Sequence, residues 1–345
     1  MDDMTEGNEE ENAVRIRELK KRLGKDLFIP AHHYQKDGIV RFSNCTGDSL
    51  ELSKAAAATD AKFIVFCGVK FMAETARVLA GPDQMVFMPR YDAGCPLADF
   101  GSLPAIEDVW NTLEAIHPGE YIPVTYVNSP VEVKAFCGNR GGLACTSSNA
   151  LRIVRSVLES GKRLFFMPDR NLGFNTARNL KAEDDSEIAG DTHGAERVRG
   201  RRIVIWNGYC YVHRAFRPEH VRAVRERYPD VTVIVHPECD PEVVECADMS
   251  GSTSGIKRAV CEAAAGSSWA IGTEETFVRR LQRENEDRLV HPLYPSVCED
   301  MTRSTEGDLL ALLERIADGN YRSQVTVPDG VARGAKQAIV RMLET

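Results

Sequence analysis

The hydrophobic pattern of this chain switches repeatedly between two forms. Short unbroken apolar runs predict buried parallel strands, and apolar positions three and four apart predict amphipathic helices. Ile16, Leu19 and Leu23 share one face of a helix over 13–23, and an apolar strand over 27–31 follows. LELSKAAAA (50–58) is rich in strong helix formers. Then come a strand (62–68), a helix closed by a glycine (71–81) and a strand (85–89). A linking helix places Ile106, Val109, Leu113 and Ile116 at helical spacing.

The series then starts again. It reads strand 122–127, a helix from Ser148, strand 163–169, a short helix over 174–180, a polar surface loop over 181–200 and strand 202–206. A second linking helix (218–230) leads to strand 231–236, a helix from Ser254, strand 268–272, helix 275–285 and strand 289–294. Two helices, about 307–317 and 329–344, finish the chain.

Three segments share one plan. In FIPAHHYQKDGIVRFSNCTGDS (28–49) a strand runs into His32, His33 and Tyr34, and a helix opens at Ser49. VTVIVHPECD runs into His236 and Glu238, with a helix opening at Thr253. IPVTYVNSP runs into Tyr126 and Asn128, with a helix opening at Ser147. His32 to Ser49 and His236 to Thr253 are each 17 positions, while Tyr126 to Ser147 is 21, an expansion placed at Cys137 to Leu143. Each copy reads strand–helix–strand–helix–strand and ends at a cysteine just past its third strand: Cys95, Cys210 and Cys298. The expected fold is therefore α/β: three homologous three-layer α/β/α domains with short parallel sheets, arranged around a pseudo-threefold axis. The expected boundaries are 1–97 plus 299–345, 98–211 and 212–298.

Ligands of parallel α/β units bind beyond the carboxyl ends of the strands. His32, Tyr34, Tyr126, Asn128, His236 and Glu238 all fall there. Three copies around one axis would bring these ends, and one cysteine from each, to a central pocket. Three thiolates from three directions suit a cubane iron–sulfur cluster whose fourth iron stays open as a Lewis acid. A three-cysteine zinc site is the alternative, although zinc more often draws two ligands from one local motif. Ser49, Ser147 and Thr253 stand at helix starts, where hydroxyls and amides bind carboxylates or phosphates, and where simple capping also explains them. A lone strand-end cysteine is ordinarily an inert small hydrophobe; the case for these three rests on their shared register. Cys45, Cys67, Cys137, Cys145, Cys239, Cys246 and Cys261 lack that register and read as structural. His33, His213 and His291 stay undecided.

Composition narrows the classes. Hydrophobic content of 43% and charged content of 27% are those of an ordinary globular protein. No apolar run reaches the length of a membrane span, and the acidic start MDDMTEGNEEEN lacks the features of a signal peptide. The net charge of −8 argues against a nucleic-acid partner but leaves small anionic substrates open. The ten cysteines contain no CxxC pair, so any metal site must draw on cysteines far apart.

Several blocks closely resemble the quinolinate synthase (NadA) family, in the family's order over roughly residues 15–320. They are AHHYQ (31–35), GDSLELSKAAAATDAKFIVFCGVKFMAETARVL (47–79), DAGCPLAD (92–99), TYVNSPVEVKAF (125–136), CTSSNA (145–150), MPDRNLG (167–173), HPEC (236–239), SGSTSG (250–255) and IGTEETFVRRL (271–281). The resemblance implies a cytoplasmic condensing and dehydrating enzyme of NAD biosynthesis. It would join iminoaspartate (2-iminosuccinate) to dihydroxyacetone phosphate, releasing phosphate and water to form quinolinate. It also implies one [4Fe-4S] cluster per chain on Cys95, Cys210 and Cys298, and a pocket of His32, Tyr34, Ser49, Tyr126, Asn128, Ser147, His236, Glu238 and Thr253. Glu238 and Tyr34 are the favoured proton shuttles, with His32, Tyr126 and His236 as further acid–base candidates. Functional coupling to an L-aspartate oxidase or dehydrogenase fits that chemistry, with no nucleic acid or membrane partner and a monomer or homodimer. WNGYCYVH and PSVCEDM match more loosely, and Lys70 stands where the family commonly has histidine. An iron–sulfur hydro-lyase on another di- or tricarboxylate and a non-catalytic iron–sulfur sensor are the rival readings.

Overall fold

The computed structural model describes residues 2–189 and 198–345. The centre of the expected 181–200 loop lies outside the described residues. The chain forms two units, Met1–Cys95 with Cys298–Val327 and Pro96–Val297 with Pro328–Thr345.

The first unit carries strands β1 (Leu27–Phe28), β2 (Pro30–His32), β3 (Cys45–Gly47), β4 (Phe63–Val65) and β5 (Met85–Phe87). They pair in parallel as β1-β4-β5 and β2-β3, and a bridge between Ala31 and Cys67 continues the pairing past β1. Ile16 and Leu19 of helix Asp2–Leu23 and Leu309, Leu312, Leu313 and Ile316 of helix Glu306–Ala317 pack with Leu27, Ile29, Phe63, Val65 and Phe87. Each such side chain contributes about 1.5–3 kcal/mol over its exposed state.

The second unit holds two sheets. One comprises β6 (Tyr121–Tyr126), β7 (Leu143–Cys145), β8 (Arg163–Met167), β9 (Ser186–Ala189) and β10 (Ile203–Trp206), in the order β7-β6-β8-β10-β9. The other comprises β11 (Thr232–Val235), β12 (Met249–Ser250), β13 (Ser268–Gly272) and β14 (Leu289–Pro292), in the order β12-β11-β13-β14. All the pairs are parallel. The mixed α/β class with short parallel sheets and helices is thus the one the periodicity predicts.

The repeat is richer than three strands per copy. A short helix and a short strand intervene between the first strand and the expected helix: Asp37–Val40 and β3, Val131–Asn139 and β7, Pro241–Cys246 and β12. Their apolar runs are too short to stand out as periodicity. The nine-residue helix Val131–Asn139 also explains the longer middle spacing. Register fixes the equivalence. His32 pairs with Gly47, Tyr126 with Cys145, and Val235 with Ser250 immediately before His236 and Gly251. Ser49, Ser147 and Thr253 each stand two residues beyond the second member of that alignment.

Three further expectations change. Ser186–Ala189, read as loop, is an edge strand parallel to β10. The helix expected at 174–180 runs Arg170–Asn179, because Asp169 accepts from Leu172 N at 2.7 Å and starts it earlier. The last helix, Asp329–Glu344, was assigned by sequence to the first domain but belongs to the second unit. There it crosses helix Val131–Asn139 so closely that a Cβ on Gly138 would run into Gly334 O. Arg341 Nη1 fastens the crossing, donating to Gly138 O at 3.1 Å and Gly142 O at 2.8 Å.

Candidate functional site

In the second unit, chemically active side chains gather past the carboxyl ends of β6, β10 and β11. Tyr126 is the last residue of β6. His236 and Glu238 follow β11, and His213 sits on the short helix Tyr211–Arg214 that Cys210 opens after β10. All four aromatic or acidic side chains are buried, at 2–5% exposure.

Glu238 is the hub. Tyr126 Oη donates to its Oε1 at 2.5 Å, and His213 Nδ1 lies 3.0 Å from its Oε2. The other ring nitrogen of His213 is 3.1 Å from Thr273 Oγ1. His213 stacks on His236 with centroids 4.3 Å apart. His236 Nδ1 accepts from Glu238 N at 3.3 Å, and its Nε2 is 3.2 Å from Ser147 Oγ.

Burial pushes the Glu238 carboxyl up, but the positive charge available on His213 and His236, with hydrogen bonds from His213 and Tyr126, outweighs it and brings the group down to about 2. Glu238 is thus held as a carboxylate. Burial and the charge of Glu238 push the Tyr126 phenol well above its ordinary range, so Tyr126 keeps its proton. Asp169, fully buried beside this array, is pushed well above the usual carboxylate range by burial and by Glu238. The same surroundings thus push two buried carboxyls in opposite directions, Glu238 down and Asp169 up.

Asn128 follows β6 by two residues, and its buried Oδ1 has no hydrogen-bond partner, an acceptor open to a ligand donor. Thr253 is buried at the start of helix Thr253–Glu262, whose cap is Ser252 accepting from Gly255 N at 3.2 Å. Ser148 Oγ donates to Ser252 Oγ at 2.8 Å and ties the two helix starts together. The middle helix begins at Ala150 and not at Ser148, since Asn149 Oδ1 accepts from Thr146 N and holds the preceding residues in a turn.

The first unit repeats the motif locally. Tyr34 N donates to His32 Nδ1 at 3.1 Å, the counterpart of Glu238 N on His236, and the two rings meet edge-on at 4.7 Å. Both are buried. Ser49 opens helix Ser49–Ala58, again with the cap supplied by its neighbour, Asp48, which accepts from Leu50 N and Glu51 N. His33 lies 3.9 Å from Glu51, and His291 stacks on Tyr228 at 4.5 Å, outside the array around Glu238.

The cysteines divide by environment. Cys67, Cys137, Cys145 and Cys239 are buried, and burial raises their thiols, Cys67 to about 12. Such thiols are poor ligands. Cys95, Cys210 and Cys298 are each partly exposed, as are Cys45 and Cys246, but these three alone lie past β5, β10 and β14, the last strand of each copy. Accessible thiols at repeated positions fit a thiolate-bound iron–sulfur group. Among the described residues, one set has donor atoms close enough to share a metal: Cys210, His213 and Glu238, all within 4.8 Å of one another.

Sequence reasoning left His213 undecided and missed Asp169 and Thr273. The signal for His213 was Cys210-x-x-His213, which places both side chains on one helical turn. Nothing in the sequence pattern marked the other two.

A family model described as Quinolinate synthetase A protein matches residues 14–344. Among similar proteins, a quinolinate synthase of Geobacillus sp. (strain WCH70) is 42% identical over 99% of this chain and 97% of its own length. Those of Anoxybacillus flavithermus and Bacillus cereus (strain B4264) are 41% and 42% identical, each over 97% of this chain and 93% of their own. With the family model covering nearly the whole chain and relatives this similar end to end, the chain belongs to the quinolinate synthase (NadA) family of enzymes.

Proposed function

We propose that this enzyme condenses iminoaspartate with dihydroxyacetone phosphate to quinolinate, releasing phosphate and water, as a cytoplasmic step of NAD biosynthesis. The observation that carries the reading is the buried Tyr126–Glu238–His213 array. It holds a charged base and a protonated phenol side by side, which suits a sequence of proton removals, carbonyl opening, tautomerisation and ring closure. We read the chain as three α/β domains, with the last helix moved to the second, because the order β7-β6-β8-β10 recurs as β12-β11-β13-β14 and the first unit carries the strands of a third copy.

Cys95, Cys210 and Cys298 would hold a [4Fe-4S] cluster. When bound, it supplies an open iron as a Lewis acid for the dehydrations, with no net electron transfer. Glu238 takes the proton, as a carboxylate kept charged by its histidine neighbours. Tyr126 donates to Glu238 at rest; as Glu238 takes a proton from one substrate atom, Tyr126 would give its own to another and recover it from Glu238, so that it ends each turn protonated. Asn128, with its open acceptor, takes a ligand N–H or O–H. Ser49, Ser147 and Thr253 hold the carboxylates and phosphate. His236, joined to Ser147, orients that hydroxyl, and Tyr34 with His32 serves as the second acid–base pair.

The test is anaerobic reconstitution with iron and sulfide, followed by metal quantitation and an assay for quinolinate from the two substrates. About four irons per chain with quinolinate formed, both lost in Cys95→Ala, is the expected result. Four irons without quinolinate would move the function to another iron–sulfur lyase. No iron would remove the cluster from the reading.

A further inference from the structure

Asn171 and Asn175 lie four residues apart on helix Arg170–Asn179, so they share one face, and each is 2% exposed. Asn171 Nδ2 donates to Glu238 O at 3.1 Å and to Asp240 Oδ1 at 3.0 Å. Asn175 Nδ2 donates to Pro237 O at 2.9 Å and to Cys239 O at 3.0 Å. Two amides from one helix thus grip three successive carbonyls of the segment that carries Glu238.

The grip is particular to this helix. Counting from the starts of the corresponding helices, the equivalent positions are Phe71 and Thr75 in helix Lys70–Leu79, and Thr276 and Arg280 in helix Glu275–Glu284. Neither of those pairs contains an amide. Glu238 in turn is particular to the third copy, whose counterparts carry Tyr34 and Asn128. The amide pair of the middle copy therefore serves the acidic residue of the third. The same helix also fixes the approach to Cys210. Arg170 N donates to Gly208 O at 2.8 Å, and Gly208 N to Pro168 O at 3.0 Å.

Buried carbonyls outside regular structure need donors, and a loop pinned at consecutive carbonyls cannot rotate its intervening side chain freely. We propose that Asn171 and Asn175 are positioning residues: by clamping the backbone at 237–239 they aim the Glu238 carboxylate at Tyr126 and the bound ligand, and so govern turnover more than substrate binding. This rests on the reading of Glu238 as the proton-accepting base.

The experiment compares wild type with Asn171→Ala and Asn175→Ala in the full, reconstituted chain. It reads kcat, KM for both substrates, the solvent isotope effect on kcat, iron content, and amide exchange over 236–240. A misaimed base costs on the order of tenfold to a hundredfold in kcat. That fall, with a larger solvent isotope effect, KM and iron content retained and faster exchange at Cys239 N–H, is the expected result. Wild-type kcat in both variants overturns the proposal, as does a kcat loss in folded variants that is matched by loss of iron. If the alanine variants do not fold, Asn171→Ser and Asn175→Ser, which keep a shorter donor, are judged by the same split. If wild type makes no quinolinate, the reading of Glu238 fails by itself. Amide exchange then still decides the clamp, because unchanged exchange in the variants overturns it.

Discussion

Tyr126 donates to Glu238 Oε1 at 2.5 Å, although the two come from non-equivalent positions of the repeat. Tyr126 is the counterpart of His236, and Glu238 is the counterpart of Asn128. The contact therefore arises from divergence between copies. Tyr126→Phe keeps the ring in its buried slot and deletes one donor. It should cost about 1–3 kcal/mol of stability, the cost of a buried group losing its partner. The Glu238 pKa should rise from about 2. Thermal unfolding and steady-state kinetics check this, with kcat expected to drop about a hundredfold, the scale of a proton-transfer contribution. Activity within twofold of wild type would remove Tyr126 from the proton path.

Replacing Glu238 with glutamine tests the base itself. The amide keeps the shape but cannot accept a proton, and it presents an N–H where Tyr126 or His213 now faces an oxygen. Cluster assembly should proceed to wild-type iron content while quinolinate formation is abolished. Full activity in that variant would sink the role.

Asp169 makes a pH prediction. Its folded pKa is raised well above the ordinary 3.8. A raised carboxyl contributes stability that is complete below the unfolded pKa and is lost as pH rises toward the folded value. Asp169→Asn is neutral at every pH and can still cap Leu172 N. Between pH 5 and 8 the melting temperature of the variant should gain steadily on that of wild type. Parallel curves would mean that Asp169 is ionised in the fold.

The strands, most helices and the threefold spacing were legible because buried runs and amphipathic faces leave periodic marks. The His32, Tyr126 and His236 alignment was legible for the same reason, since strand ends can be counted from the runs. What escaped was short or relational. The three-residue strands β3 and β7 and the two-residue β12 carry too few positions to show a period. Asp169 looks like any helix-capping aspartate, and only its closeness to Glu238 gives it another character. The low pKa of Glu238 depends on two histidines from different segments, which no single stretch of sequence displays.

The cysteines should separate cleanly in a metal assay. Cys95→Ser, Cys210→Ser and Cys298→Ser should each lose most of the reconstituted iron. Cys137→Ala and Cys145→Ala should retain it, because those thiols are buried and held protonated. The latter two should instead cost stability, on the order of 1 kcal/mol for the small volume removed. Iron retained in any of the first three would take that residue out of the ligand set.

The helix starts offer the sharpest separation between structural and binding roles. Asp48 and Ser252 supply the caps, so Ser49 and Thr253 stand one position inside, where a hydroxyl is not needed to begin the helix. Asp48→Ala and Ser252→Ala should therefore lower stability by about 1 kcal/mol each, the usual worth of a cap. Ser49→Ala and Thr253→Val should leave the melting temperature nearly unchanged and raise KM, as loss of a hydrogen bond to an anionic ligand does, by roughly tenfold or more. Ser147→Ala should behave like these two and also loosen His236, whose Nε2 lies 3.2 Å from its hydroxyl. If Ser49→Ala and Thr253→Val instead lower stability and spare KM, the hydroxyls belong to the helices and the anions must be held elsewhere.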